Sequence, residues 1–520
     1  MIVYRASPSD YGRGFEGQRK SDLGDGSFLN PILSGDHPDP SILRDGEDFY
    51  LTYSTFETYP GLQIWHSRDL VNWRPLTSAL HSNIGSVRGP ELIKHEGRYY
   101  IYIPTKPTSS PSSRKTNWVI WSDDIEGPWS DPIDLDLPTH IDPGHAVGED
   151  GSRWLFLSRG DRIRLADDGL STIGQVEHVY DGWCYPEEWE VEGYAQEGPK
   201  VTRHGDCFYL ISAVGGTAGP PTGHMVIVAR SKSIHGPWEN HPRNPVVRTQ
   251  RQEEKWWSRG HATLVDLPNG DWWSVLHGYE NGFWTLGRQT LLAPVRWTED
   301  GWLEFGGDDL SSPLVVPIPR LETDHMERAH GFPLSDNFLI NKYGIQWCFY
   351  NPAPDEKERM RYQNNALVLS GRGSAPGDSS PLSCIVGDQS YQVDCEIEIE
   401  PEGGAGLLLF YDHQLYCGLG VREDHFVTHQ YGRERAKLQH EYGLRLFVRL
   451  RNQRHIVSIF TSHDGQNWKR FDRGMEVSGY HHNVCGGFQM LKPALYATGD
   501  GTRAIFRNFV YRALPLDTGT

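Results

Sequence analysis

Three carboxylates stand out as residues able to do chemistry. They sit in the phrases His37-Pro38-Asp39-Pro40-Ser41, Ile141-Asp142-Pro143-Gly144 and Gln196-Glu197-Gly198-Pro199-Lys200. Val87-Arg88-Gly89-Pro90-Glu91 and Gly260-His261-Ala262 occupy comparable places elsewhere in the chain. Three acids converging on one cavity fit hydrolysis of a glycosidic bond with inversion. One carboxyl protonates the leaving oxygen, and another activates water on the opposite sugar face, roughly 6.5–9.5 Å away. A third carboxylate raises the acid's pKa by like-charge repulsion and keeps it protonated near neutrality. An Asp beside Pro is also a common turn residue that caps backbone amides. A single such acid is better read that way. Three at equivalent places in a repeat favour the chemistry.

The equivalence comes from a phrase that recurs five times, a glycine followed by aromatic and apolar residues. The copies begin at Gly46, Gly97, Gly151, Gly205 and Gly270, spaced 51, 54, 54 and 65 residues apart. Each reads as a turn and then a strand. A second phrase follows several copies: Ser67 to Trp73, Ser122 to Trp129 and Ser231 to Trp238. It reads as the hairpin between outer strands of the same unit. A β-unit of this length repeated around a centre is a propeller blade. Five copies predict five blades, whose innermost strands line the axis. Asp39, Arg88, Asp142, Glu197 and His261 lie 7, 9, 9, 8 and 9 residues before the five glycines, where those strands begin. A sandwich with coincidentally similar strands fits the near-constant spacing poorly.

After the Pro-rich stretch from Ser311 to Pro319 the phrase disappears. Tyr391 to Ile399 and Leu444 to Leu450 instead alternate with period two, as strands with one buried face do. The expected fold is all-β: a five-bladed β-propeller over residues 28–318, followed by a β-sandwich over residues 334–516. Acids outnumber bases 68 to 50 in the 520 residues, a formal charge of −18, which argues against nucleic acid or anionic membrane as partner. No run approaches a membrane span. Met1 to Pro8 lacks a signal-peptide pattern, the seven cysteines form no C-x-x-C pair, and no N-x-[ST] site occurs. Together these predict a reducing cytoplasm. A homo-oligomer is compatible with the sequence.

The phrases around Asp39, Asp142 and Glu197, with Gly260-His261-Ala262 and Leu286-Gly287-Arg288, resemble glycoside hydrolase family 43. The region from Ser335-Asp336-Asn337-Phe338 through Gln346-Trp347 is similar to the concanavalin-like sandwich attached to many of its xylosidases. The resemblance implies an inverting hydrolase with Asp39 as general base and Glu197 as general acid. Asp142 then orients Glu197 and modulates its pKa. It further implies that Phe56 lies against the terminal sugar and that Arg288 contacts sugar hydroxyls. His261 matches an axial histidine found beside hydrated calcium in many members, although a buried core histidine reads equally well. One departure is Arg88-Gly89-Pro90, where many family xylosidases have Trp-Ala-Pro. Arg88 is expected to bond substrate hydroxyls or to pair with an axial carboxylate.

The expected activity is exo-acting release of terminal β-D-xylose, α-L-arabinofuranose or both from xylan-derived oligosaccharides. The sandwich is expected to close the funnel mouth, to stabilise the propeller or to bind carbohydrate. Two alternatives compete. A retaining fructan or sucrose hydrolase also pairs propeller with sandwich, but its Asn-Asp-Pro-Asn phrase matches His37-Pro38-Asp39-Pro40-Ser41 poorly. A non-catalytic carbohydrate-binding propeller would be expected to have lost at least one acid. No phosphate loop or dinucleotide fingerprint occurs, so no organic cofactor is expected.

Overall fold

The computed structural model describes residues 11–217, 219–319 and 329–515. Met1 to Pro8, and the predicted sandwich boundary at Leu516, lie outside them. Five antiparallel sheets follow one another along the chain, each built around four strands in sequence order. The first contains Ser41–Asp45, Asp48–Thr52, Gly61–Ser67 and Arg74–Leu80. The second contains Glu91–His95, Arg98–Lys106, Thr116–Ser122 and Ile133–Asp134, and the third Gly144–Val147, Arg153–Leu157, Asp161–Leu165 and Thr172–His178. The fourth contains Glu197–His204, Cys207–Val214, Met225–Ser231 and Glu239–Asn240. The fifth contains Trp256–Asp266, Trp272–Glu280, Arg288–Trp297 and Leu303–Phe305.

The repeat phrase is the tight turn between the first and second strands of every blade. All five of its glycines have positive φ, from +57° to +89°. An L side chain is strained there, which is the reason glycine recurs. The second phrase is the outer hairpin, closed in two copies by the tryptophan ring: Trp73 Nε1 donates to the Leu70 carbonyl at 2.8 Å and Trp129 Nε1 to that of Ile125 at 3.3 Å.

Apolar side chains of adjacent blades form a separate cluster at each of the five contacts. Leu51 and Trp65 meet Val265 and Val275 between blades one and five, and Tyr102 and Val119 meet Leu155 and Leu157 between blades two and three. Burial at about 25 cal/mol per Å² of apolar surface makes these seams the main force closing the ring. Near the axis Lys200 adds a polar staple. Its ammonium lies 2.5 Å from Glu91 and 3.3 Å from the carbonyls of Pro90 and Pro143, linking blades two, three and four. The segment before blade one runs back against blade five, where Asn30 and Leu292 exchange two hydrogen bonds.

Residues 335–513 supply all but one strand of two stacked sheets of eight and seven strands, around a core to which Phe283 and Leu286 of the propeller also contribute. The predicted alternation is present: Leu446, Val448 and Leu450 are fully buried, while Arg445, which opens the same strand, faces out. The eight-stranded sheet does not stop at the domain boundary. Thr58–Tyr59, in the loop between the second and third strands of blade one, pairs with Phe349 and Tyr350 as its edge strand. The sandwich is thereby fixed in register against the mouth of the propeller. All seven cysteines are free. Among the described residues no helix is long and apolar enough to cross a membrane.

Candidate active site

The axial ends of the blades bring the five counted residues together. Asp39, Arg88 and Asp142 sit in the turns that lead into the first strands of blades one to three, Glu197 opens the first strand of blade four, and His261 lies within that of blade five. The turns share a backbone device. Asp39, Gly89, Asp142, Gly198 and His261 all have positive φ, between +45° and +59°. Such a residue reverses the chain sharply and aims its neighbour or itself at the axis. The glycines also make room. A Cβ on Gly89 would lie 2.2 Å from Asp142 Oδ1, and one on Gly198 would lie 2.9 Å from His261 Nε2.

Asp39 is held from three sides. Arg288 Nη1 donates to its Oδ1 at 2.7 Å and Nη2 to its Oδ2 at 3.3 Å. Ser54 Oγ donates to Oδ2 at 2.6 Å. Its backbone N–H donates to His277 Nδ1 at 3.1 Å. Burial alone would raise the pKa of this carboxyl, but Arg288, followed by His261, outweighs burial and holds it well below the ordinary range. His277 is completely buried, and burial together with Arg288 lowers its pKa to about 3, so it is a neutral acceptor for the Asp39 amide.

Glu197 lives in the opposite environment. Burial first, and the Asp142 carboxylate second, raise its pKa to about 8. Among the described residues its carboxyl has no cationic partner at ion-pair distance. Asp142 instead lies 3.4 Å from His261 Nε2. That imidazole is raised above its ordinary value, because the attraction of Asp39 and the contact with Asp142 outweigh its burial. One carboxyl of the mouth is therefore kept ionised and another kept protonated over the same neutral pH range.

The aromatic wall at Phe56 contains a residue that sequence reasoning missed. Phe488, from the sandwich, stacks on Phe56 with ring centroids 5.9 Å apart and an interplanar angle of 19°. Arg88 and Arg288 both lie over its ring, at 5.1 and 4.9 Å, and both lie 5.7 Å from the Phe56 centroid. The loop that carries it is tied down on the propeller: Gln489 Nε2 donates to Glu57 at 2.7 Å and Lys492 Nζ to Thr58 Oγ1 at 3.1 Å. No local pattern marks Phe488. Ser54 and His277 were missed as well. The signal for His277 was a lone polar residue inside the apolar run Val275-Leu276-His277. Among the described residues Arg88 makes no ion pair with an axial carboxylate. Arg288 makes one, with Asp39.

The residues beside His261 fit a directly bound calcium poorly. Among the described residues no group of three or more His, Cys, Asp or Glu side chains is placed to hold a metal. Both ring nitrogens of His261 are buried without a hydrogen-bond partner. An ion there would need water as its ligands.

A five-bladed propeller with this arrangement of carboxyls at one axial mouth is the build of a glycoside hydrolase. The chain belongs to glycosyl hydrolases family 43, whose model matches residues 28–303, and residues 335–512 match the beta xylosidase C-terminal Concanavalin A-like domain. It is 35% identical over 392 residues to a xylan 1,3-beta-xylosidase of a Vibrio species, covering 66% of this chain and 69% of that protein. It is 34% identical over 349 residues to a non-reducing end alpha-L-arabinofuranosidase of Bacteroides ovatus, covering 63% of this chain and 62% of that one. This second match thus spans less than two thirds of the relative's length. The solved xylan beta-1,4-xylosidase from Bacillus halodurans superposes with a TM-score of 0.81 at 26% identity, over 93% of this chain and 99% of that one.

Proposed function

We propose that the protein is an exo-acting, inverting hydrolase that removes terminal β-D-xylose, α-L-arabinofuranose or both from xylan-derived oligosaccharides. The observation that carries this reading is the opposed protonation of Asp39 and Glu197 in one buried mouth. Asp39, ionised under Arg288, takes a proton from the attacking water. Glu197, protonated up to about pH 8, gives its proton to the leaving oxygen. Asp142 contributes to that elevated pKa and is itself positioned by His261. Water attack opposite the leaving oxygen inverts the anomeric carbon in a single displacement.

Phe488, stacked between Phe56 and His482, would present its open edge to the terminal sugar, with the buried Phe56 behind it. Phe488 also narrows the mouth from the sandwich side, which suits a pocket that takes chain ends. The relatives named above support both pentoses as substrates. The acidic balance of the chain places nucleic acid and anionic membrane outside the proposed partners, and seven free cysteines suit the proposed site of action, a reducing cytoplasm supplied with imported oligosaccharides. A homo-oligomer remains compatible with it.

The test is hydrolysis of aryl β-D-xyloside and aryl α-L-arabinofuranoside side by side, with the first-formed anomer followed by NMR. The α-anomer of xylose from the β-xyloside is expected. The β-anomer would point to retention, as in a fructan-type mechanism, and would remove Asp39 as base. Binding of both glycosides without turnover would instead indicate a carbohydrate-binding propeller.

A further inference from the structure

The cations of the mouth are not equally used. Arg288 is paired with Asp39, and Lys200 with Glu91. Among the described residues the side chains of Arg88 and Lys106 make neither a hydrogen bond nor an ion pair. They stand on neighbouring strands of blade two: the Arg88 N–H donates to Pro104 at 3.1 Å, and Lys106 pairs in register with Ser86. Lys106 is close enough to Arg88, Glu197 and Asp142 to feel all three charges. Arg88 Nε is enclosed without a partner, whereas its terminal nitrogens keep open surface.

A half-buried guanidinium with no carboxylate at ion-pair distance is costly, although Glu57, Asp39 and Asp142 attract it from further off. The rings of Phe56 and Phe488 offset part of that cost through cation–π contact. Sugar hydroxyls would satisfy the hydrogen-bonding capacity of Arg88 but would make no use of its charge or of the exposed ammonium of Lys106. A carboxylate does both, since its two oxygens match the guanidinium fork. Two unpaired cations side by side also run against the field of a chain with formal charge −18. Their place identifies which part of the substrate they meet. Arg88 lies against the Phe56 ring, on the side proposed for the terminal sugar, and Lys106 feels the charge of Glu197, the group proposed to serve the leaving oxygen, so an anion bridging the two cations sits where the leaving portion joins the terminal sugar.

We propose that Arg88 and Lys106 read a carboxylate on the substrate, and that the preferred leaving portion carries a uronic acid. The proposal rests on the hydrolase reading above. It makes Arg88, where many family xylosidases have tryptophan, a determinant of specificity for acidic oligosaccharides.

The test uses a xylo-oligosaccharide whose penultimate xylose bears glucuronic acid, its methyl ester and the undecorated oligosaccharide. In the wild-type chain kcat/KM for the acid should exceed that for the ester by about tenfold, and the ratio should fall with added salt. In Arg88→Gln and in Lys106→Gln the ratio should move towards one, whatever happens to the absolute rates. Equal rates on acid and ester in the wild-type chain, with undecorated oligosaccharide still cleaved, would overturn this proposal and leave the hydrolase reading in place. A ratio unchanged in folded Arg88→Gln and Lys106→Gln would overturn it too. Absence of cleavage of every pentoside would overturn both.

Discussion

Replacing Arg288 with methionine removes the two guanidinium contacts, at 2.7 and 3.3 Å, that Asp39 makes in a site where the carboxyl is 5% exposed. Methionine keeps most of the volume and none of the charge. Breaking a buried ion pair from one side costs about 3–5 kcal/mol. At about 1.36 kcal/mol per pKa unit, that corresponds to a rise of roughly 2–4 units for a carboxyl that can escape the cost by protonating. The Asp39 pKa should therefore rise by about that much from its depressed value and carry the acidic limb of the profile up with it. The sign follows from the role. A base must be ionised, so a depressed pKa keeps kcat/KM flat down to acidic pH, and a raised one makes it fall as pH drops through the new value. Below the raised value the ionised fraction falls about tenfold per pH unit, so two pH units below it the loss is about 100-fold relative to the plateau. The assay is kcat/KM from pH 4.5 to 8 on an aryl xyloside with a good leaving group, which demands little from Glu197. Arg288→Lys keeps the charge and should recover part of the acidic range. Circular dichroism and a cooperative melt would establish that each variant is folded. A folded Arg288→Met whose acidic limb coincides with wild type would refute the assignment of Arg288 as the group that keeps Asp39 ionised.

Further outcomes follow from the same geometry. Asp39→Asn and Glu197→Gln should each cost about 10²–10⁴-fold on an unactivated oligosaccharide, but Glu197→Gln should be milder on good leaving groups, and equal losses on good and poor ones would contradict the acid role. Glu197 is a carboxyl whose folded pKa, about 8, lies above its unfolded value, so the folded chain loses stability as pH rises from the ordinary carboxylate range through 8. Glu197→Gln should accordingly melt higher than wild type at pH 8.5 and lose that advantage near pH 4.5, whereas a pH-independent difference in Tm would show that the acid is not raised. Phe488→Ala should raise KM by about tenfold with little change in Tm, because the ring is only half-buried and its partners belong to the sugar-facing wall; an unchanged KM would separate the sandwich from the pocket. Exhaustive EDTA treatment should leave activity and Tm unchanged, and a loss reversed by calcium would demonstrate a hydrated ion near His261.

The periodicity of this chain carried its architecture. Turn glycines such as Gly46 and Gly151 are forced by positive φ, and strands are forced by alternation and aromatic content. Both are local properties, so five blades and the start of each inner strand were readable by counting. The same counting found Asp39, Asp142, Glu197, Arg88 and His261, because rotational repetition converts equal places in sequence into equal places around an axis. What each residue does there was not local. Whether Arg288 met sugar or carboxylate depended on the closing of blade five against the segment before blade one, which placed it on Asp39. The contrast between an ionised Asp39 and a protonated Glu197 arises from burial and neighbouring charge, and neither exists until the ring has closed. Ser54 and His277 became visible only as contacts of Asp39. Phe488 lies in a sandwich whose own sequence describes a self-contained core, and it reaches the sugar-facing wall because Thr58–Tyr59 of the propeller completes a sandwich sheet. Pairing between distant strands fixed that register, and no spacing within either domain encodes it.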